Sequence, residues 1–214
     1  MKKIFFLFIF LTFTGTLCNA QCRHRTNCSL PSWDQISFDI YATNAPILDQ
    51  NFYGFGMDMK YFLLDRFGTG AVVNMAGKRI PENFHYAIGQ PTLTFSEIGW
   101  INQYNFISVG NMRINLNLTN GLAVANLADN SIKEKYWTKY GEQTRAKSIA
   151  CNYYYLFEPG AEISYKVISN DHNPDFYLVA KSNYRFLCGQ GKYSSASSFS
   201  DYLFAFGISM VGLK

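Results

Sequence analysis

Apolar and polar residues alternate with a period of two along most of this chain. Ile36, Phe38, Ile40 and Ala42 stand against Ser37, Asp39, Tyr41 and Thr43. Tyr53, Phe55, Met57, Met59, Tyr61 and Leu63 stand against Gly54, Gly56, Asp58 and Lys60. Tyr104, Phe106, Met112, Ile114, Leu116 and Leu118 oppose Asn105, Asn111, Arg113, Asn115 and Asn117. Phe176, Leu178, Ala180, Tyr184 and Phe186 oppose Lys181, Asn183 and Arg185; Tyr202, Phe204, Phe206, Ile208 and Met210 oppose Ala205, Gly207 and Ser209. Successive side chains of a strand point to opposite faces, so this period predicts strands. Residues 129–147 have room for one helical turn.

The stretch from Cys151 to Val167 contains Pro159-Gly160, an ordinary turn signal. Yet Tyr153, Tyr155, Phe157, Ala161, Ile163, Tyr165 and Val167 keep phase across it, against Glu158, Glu162 and Lys166. The unbroken phase predicts one long strand, with Pro159 at a bulge or an unpaired position, because proline has no N–H for a ladder. The chain then divides into eight segments: 33–43, 52–64, 69–77, 103–118, 121–128, 149–167, 175–187 and 200–213. Short turns are expected at 65–68, 119–120 and 168–174, and long loops at 44–51, 78–102, 129–148 and 188–199.

Eight alternating antiparallel strands predict an all-β fold, an eight-stranded antiparallel up-and-down barrel. Alternation alone does not say which face is inside. A soluble lipocalin-like periplasmic barrel would turn Tyr104, Phe106, Met112 and Ile114 inward around an apolar ligand. A transmembrane β-barrel turns them to lipid. The polar face favours the second arrangement. It is rich in small neutral residues, including Gly54, Gly56, Asn111, Asn115, Asn117, Gly207 and Ser209. Its charges nearly balance, Asp39, Asp58, Glu158 and Glu162 against Lys60, Arg113, Lys166, Lys181 and Arg185. These nine residues are the expected interior charge network, since unpaired buried charge is costly. The alternation of short turns and long loops fits as well. An eight-stranded interior is filled by side chains, so a packed polar core is expected instead of a pore.

The chain opens "MKKIFFLFIFLTFTGTLCNAQ". Two lysines, an apolar run too short to span a bilayer comfortably, and small residues Cys18 and Ala20 before Gln21 predict a cleaved signal peptide, residues 1–20. Residues 21–32 form an N-terminal segment and 33–214 the barrel domain. Cleavage leaves 194 of 214 residues and takes the formal charge from +4 to +2. So mild a charge gives no reason to expect nucleic acid as a partner. Aromatics are abundant, with 15 Tyr and 19 Phe, and charged residues make up only 16%. The aromatics suit the interfaces of a membrane.

These features resemble those of the small outer-membrane β-barrel family, the OmpA/OmpX-like outer membrane protein beta-barrel domain proteins of diderm bacteria. The residues that carry the resemblance are "GFGMDMKYFLLDRFGTGAVV" (54–73), "EPGAEISYKV" (158–167) and the closing "YLFAFGISMVGL" (202–213). The chain departs from many members in ending Gly212-Leu213-Lys214 instead of in an aromatic residue. The resemblance implies an integral outer-membrane protein, exported by its signal peptide, with outer-membrane lipid as its partner. It implies a monomer without enzymatic activity, acting structurally or by contact with a surface ligand through loops 78–102, 129–148 and 188–199. The alternative is an outer-membrane enzyme acting on lipid or lipopolysaccharide, for which His85 is the candidate histidine.

After cleavage four cysteines remain, and an even number in an exported chain suggests disulfides. The layout places Cys151 and Cys188 near one rim of neighbouring strands, predicting a Cys151–Cys188 bond. Cys22 and Cys28 would close a small N-terminal loop. "CRHRTNC" offers only three ligands, too few for a zinc site. Asp171-His172 and Ser194–Ser200 fall at opposite ends of the barrel, so no triad forms. No catalytic, cofactor-binding or metal site is expected.

Overall fold

The computed structural model describes residues 36–64, 66–139, 141–170 and 173–212. The expected signal peptide, the 21–32 segment with Cys22 and Cys28, and Asp171-His172 lie outside the described residues. The strands are β1 (Ile36–Ile47), β2 (Gln50–Leu64), β3 (Phe67–Arg79), β4 (Pro91–Val109), β5 (Met112–Thr138) and β6 (Gly141–Asn170). They continue with β7 (Asn173–Tyr184), β8 (Phe186–Cys188) and β9 (Tyr202–Val211). From β1 to β7 each pairs antiparallel with the next, β8 pairs with β6, and β9 pairs with β7 and back onto β1. β7 and β8 form one wall strand interrupted at Arg185, so the ring holds eight strands. The fold is the expected eight-stranded up-and-down transmembrane β-barrel.

β6 runs through Pro159, which pairs with Leu118 of β5. On its other side the ladder to β7 stops at Gly160↔Asn183, and that to β8 resumes at Phe157↔Phe186. The residue without an N–H thus sits at the gap between β7 and β8.

The faces follow the sequence pattern. Met59, Ile98, Leu116, Leu122, Ile163, Phe206 and Ile208 are exposed on the outer wall, while Asp39, Asp58, Lys60, Glu162 and Lys181 are buried inside. Tyr104, Phe106 and Met112 are exposed, which excludes the ligand-lined interior of a soluble barrel. β9 has ten residues. At about 3.3 Å per residue and a tilt near 40°, ten residues rise about 25 Å, the height of the apolar band of such barrels. Exposed aromatics flank that height: Tyr104, Phe106 and Tyr165 towards one end, Tyr53, Tyr153 and Tyr202 towards the other.

Several expected boundaries are wrong. Segment 103–118 is not one strand. It contains a tight turn at Gly110-Asn111, where Gly110 has φ +56°. A two-residue turn inverts the parity of the face, because Val109 and Met112 pair directly. A bulge between Asn105 and Ile107 inverts it again, so the alternation appears to pass through the turn. Residues 119–120 are not a turn, since Thr119 pairs with Ile101 and Asn120 with Trp100. Loop 44–51 shrinks to a turn at Leu48-Asp49, with φ 52° and 57°, the two positive values of a hairpin turn. Loop 78–102 shrinks to residues 80–90. Residues 129–148, where a helical turn had room, form a β-hairpin instead. Its arms, Lys133–Thr138 and Gly141–Ala146, continue β5 and β6 past the end of β4.

One end of the barrel therefore carries the β2–β3, β4–β5 and β6–β7 connections. The other carries the Leu48 turn, loop 80–90, the β5–β6 hairpin and residues 189–201. We call them the short-turn and long-loop ends. At the long-loop end Asp129 ties two elements together. Its Oδ1 accepts from Ser131 Oγ at 2.6 Å, Ser131 N at 2.9 Å and Gln90 N at 3.1 Å, and its Oδ2 from Gly89 N at 3.1 Å. The Ser131 hydroxyl first, then these amides, hold the carboxyl low, at about 2.

The Cys151–Cys188 disulfide is absent, and both thiols are free. Cys188 pairs with Tyr155, four residues along β6 from Cys151. Four residues span about 13 Å, against a Cα separation of about 4.4–6.8 Å in a disulfide. Cys151 Sγ instead lies 3.0 Å from Asn126 Oδ1.

Two measurements check these features. Cys188, exposed at the long-loop end, will react with a maleimide in the folded, unreduced protein, and prior reductant will not increase labelling at Cys151 or Cys188; protection relieved by reductant contradicts the structure. Asp129→Ala will speed proteolysis within 80–90 with the barrel intact. In the parent protein the tie is fully formed above about pH 4 and is lost as pH falls through about 2, since the folded carboxyl is lower than an ordinary one. Cleavage of 80–90 unchanged by either treatment would contradict the tie.

Candidate functional site

The lumen has two chemically distinct zones. In the half nearer the short-turn end, inward residues of four strands converge: Asp39 of β1, Asp58 and Lys60 of β2, Glu162 of β6 and Lys181 of β7. Lys60 Nζ lies 2.7 Å from Asp39 Oδ2, 2.9 Å from Asp58 Oδ1 and 3.7 Å from Glu162 Oε2. Lys181 Nζ lies 2.8 Å from Asp39 Oδ2, 2.6 Å from Asp58 Oδ2 and 3.4 Å from Glu162 Oε2. Two ammonium groups thus serve three carboxylates. Asn115 Nδ2 donates to Glu162 Oε1 at 2.8 Å, supplying a further positive dipole. All five charged side chains are at most 4% exposed.

Above them lies Tyr41, with Lys181 Nζ 4.2 Å from its ring centre. Its cross-strand partners on both sides are glycines, Gly56 and Gly207. A Cβ at Gly56 would run into the Tyr41 ring, so the ring lies over bare backbone there, while one at Gly207 would meet the Ile40 carbonyl and the Tyr41 Cα. Tyr41 Oη donates to Asn74 Oδ1 at 3.1 Å, and Asn74 Nδ2 donates to Glu97 Oε2 at 2.9 Å. Arg185 Nη1 donates to Glu97 Oε1 at 2.8 Å, and its Nε donates to Phe199 O at 3.0 Å. A connected polar path therefore crosses from the charge cluster to the long-loop end.

The zone at the long-loop end is apolar. Ile47, Phe52, Leu93, Phe95, Leu127, Leu156 and Phe199 are fully buried within it. Phe199, on the 3₁₀ turn Ala196–Phe199, stacks at 5.8 Å on Phe95 and packs at 5.5 Å on Tyr154. Residues 189–201 are tied down around it. Tyr154 Oη donates to Ser194 O at 2.9 Å, Tyr193 Oη to Ala125 O at 2.9 Å, and Lys192 N to Asn152 Oδ1 at 2.6 Å. The segment expected to be a free surface loop, 188–199, thus folds into the barrel mouth and seals it. Burial there raises the Tyr193 hydroxyl well above its ordinary range.

The nine expected network residues fall into three groups. Asp39, Asp58, Lys60, Glu162 and Lys181 form the cluster. Arg185 joins Glu97 near the seal, where Glu158 accepts from Asn183 Nδ2 at 2.7 Å. Arg113 and Lys166 stand at the short-turn end, Arg113 stacked 4.7 Å over Tyr177 and Lys166 paired at 2.7 Å with Asp175. Glu97, Tyr41 and Asn74 were not anticipated. Glu97 fell inside a stretch taken for loop, because inward Leu93 and Phe95 are apolar there while outward Thr94 and Ser96 are polar. This reversal near the rim hides the strand from a pattern tuned to apolar-out.

Below the cluster a cavity of about 390 Å³ opens at the short-turn end, lined by Lys60, Gln103, Arg113, Glu162 and the exposed Arg66 and Ser108. His85 is exposed in loop 80–90, and among the described residues its imidazole has no hydrogen-bonding partner; its backbone N donates to Asn83 Oδ1. Among the described residues there is also no cluster of metal-ligating side chains.

Solved structures with a similar fold include Neisserial surface protein A (NspA), 12% identical over 83% of this chain and 96% of that one, with a TM-score of 0.51. Ail, the attachment invasion locus protein of Yersinia pestis, is 12% identical over 82% and 95%, with a TM-score of 0.44. The outer membrane protein OprG of Pseudomonas aeruginosa is 11% identical over 84% and 96%, with a TM-score of 0.42. At these identities the likeness is one of fold, and the comparison with NspA carries it. No family model and no curated protein matches the chain.

Lys181→Met is expected to destabilise the barrel by about 3–5 kcal/mol, because it strands buried carboxylates. Lys166→Met, at a part-exposed pair, should cost about 1 kcal/mol or less. Urea unfolding of both variants in lipid vesicles gives the comparison, and equal losses would contradict the cluster's role.

Proposed function

We propose that this chain is a non-enzymatic, monomeric integral protein of the outer membrane of a diderm bacterium, exported by a cleaved signal peptide. Its role is structural or one of surface contact, exercised from the long-loop end. The observation that carries this is the division of the wall: apolar and aromatic side chains outside on every strand, paired charge inside. Such a wall is matched to hydrocarbon and mismatched to water. The fold shared with NspA supports the same reading.

The seal around Phe199 directs the role away from conduction. A solute path would have to cross Phe95, Phe199, Tyr154 and Leu127, all buried and in apolar contact. The β5–β6 hairpin is the most prominent element free to meet a surface ligand. Trp137 near its tip is 80% exposed. Lys135 and Glu142 pair at 2.6 Å across its arms, and Arg145 stacks 5.2 Å over Tyr136. Loop 80–90 stands beside it through the Asp129 tie. An enzymatic role finds no support at His85, which has no acid or hydroxyl partner among the described residues.

Membrane fractionation of the native host, with gel mobility before and after boiling, tests the location. The protein will sediment with the outer membrane and shift in mobility on heating. Protease added to intact cells will cut at residues 133–146 before any other described segment. Recovery in the soluble periplasm, or a hairpin cut only after cell lysis, would overturn the proposal.

A further inference from the structure

The cavity at the short-turn end has no part in a role exercised at the opposite end, and the seal makes it a blind vestibule. Its chemistry is one-sided. Among the described residues the lining has three basic side chains, Lys60, Arg66 and Arg113, and one carboxylate, Glu162. That carboxylate is already matched by Lys60, Lys181 and Asn115. Lys60 is spent on the cluster as well. Arg113 is different: among the described residues it has no salt-bridge partner, and its guanidinium is braced over the buried Tyr177 ring. Nearby Lys166 and Asp175 cancel each other.

Two further side chains point to a missing partner. Gln103 and Ser37 line the cavity, each only 2% exposed, yet among the described residues Gln103 Nε2 and Ser37 Oγ have no hydrogen-bonding partner. Buried polar atoms are ordinarily paired, so such orphans call for water or a ligand. An amide N–H₂ and a guanidinium can only donate. A lining with spare donors and a carboxylate already neutralised by two ammonium groups favours a guest that accepts. The volume of about 390 Å³ lies within the range of small-molecule sites.

We propose that this vestibule binds a small solute through an oxyanion, a carboxylate or a phosphate, from the compartment facing the short-turn end. Arg113 supplies the charge-assisted, planar contact, Gln103 Nε2 a second donor and Ser37 Oγ a third, while Arg66 at the mouth draws the anion in. The guest enters and leaves by the same mouth. The proposal is independent of the role assigned to the long-loop end.

The test is a side-chain NMR titration of the full mature chain, folded in detergent micelles, at constant pH and ionic strength. Inorganic phosphate and acetate are the separate probes. Saturable shifts of the Arg113 Nε–H and Gln103 Nε2–H resonances are expected with at least one of them, and the one that saturates names the class of oxyanion. Arg113→Gln, checked for folding by heat-modifiable mobility, should weaken that binding about tenfold or more, the loss of one charge-assisted bond. Gln103→Leu, which keeps every charge, should weaken it by a smaller factor. Shifts that grow linearly with both anions, as for a cavity holding only water, would overturn the proposal. So would saturation unchanged in Arg113→Gln.

Discussion

Inside a closed ring of strands surrounded by hydrocarbon, an inward charge has neither lipid nor a free edge to escape to. It must be neutralised within the tube or not be there. The pairing of Lys60 and Lys181 with Asp39, Asp58 and Glu162 meets that demand with residues from four strands. Lys181 and Asp39 are 142 residues apart in the chain, so their contact exists only when β9 has closed the ring onto β1. The same cluster fixes register. A slip of one residue in β2 would turn Asp58 and Lys60 to lipid and Met57 and Met59 inward, because strand faces alternate. A buried ion cluster is weak evidence for stability by itself. Here its clearer consequence is that other registers are far worse.

The rest of the lumen is arranged around that cluster. Tyr41 can lie over it because Gly56 leaves the backbone beneath the ring bare, and its hydroxyl in turn bonds Asn74, which bonds Glu97. Arg185 ends this path and begins the seal, since it bonds Glu97 with one nitrogen and the Phe199 carbonyl with another. It also interrupts the wall strand between β7 and β8, opposite the one proline of β6. Irregularity in the wall and function in the lumen thus meet at the same height, where an inward arginine must reach a loop backbone.

Much of this was legible from alternation. The strand count, the closed ring, the outward apolar face and the continuity of β6 through Pro159 all follow from a period of two, because a half-buried strand has no other way to sort its side chains. What misled was compensation. At Phe106 a bulge and at Gly110-Asn111 a turn each invert parity, and together they leave the pattern unchanged, so a hairpin looked like a strand. Near the long-loop end the polarity of the inward set reverses, from Asp39 to Ile47 in β1 and from Gln103 to Phe95 in β4. A rule of polar-in therefore reads residues 91–102 of β4 as loop, and Glu97 with them. The cysteine pairing failed for a metric reason: shared height at a rim does not bring Cα atoms together unless the register also aligns them. The inward folding of residues 189–201 left little signal, since Tyr193 and Phe199 amid serines read as an ordinary exposed loop.

The reversal of polarity inside the barrel decides what each end can do. Were the lumen polar throughout, both mouths would share one aqueous column, and ligands, protons or ions entering at one end could be felt at the other. With Phe95, Phe199 and Tyr154 packed across it, the column is cut, and the wall between is committed to lipid. Variation in chemistry is then confined to two surfaces that do not share solvent. The long-loop end offers an exposed β-hairpin and a loop tied to its base by the Asp129 carboxylate, suited to contact with something large. The short-turn end offers a small concave site with surplus donors, suited to something small and anionic. From Lys181, stacked on the Tyr41 ring, a hydrogen-bonded path runs through Tyr41, Asn74, Glu97 and Arg185 to the Phe199 carbonyl, so polar side chains already paired with one another reach from the cluster to the seal.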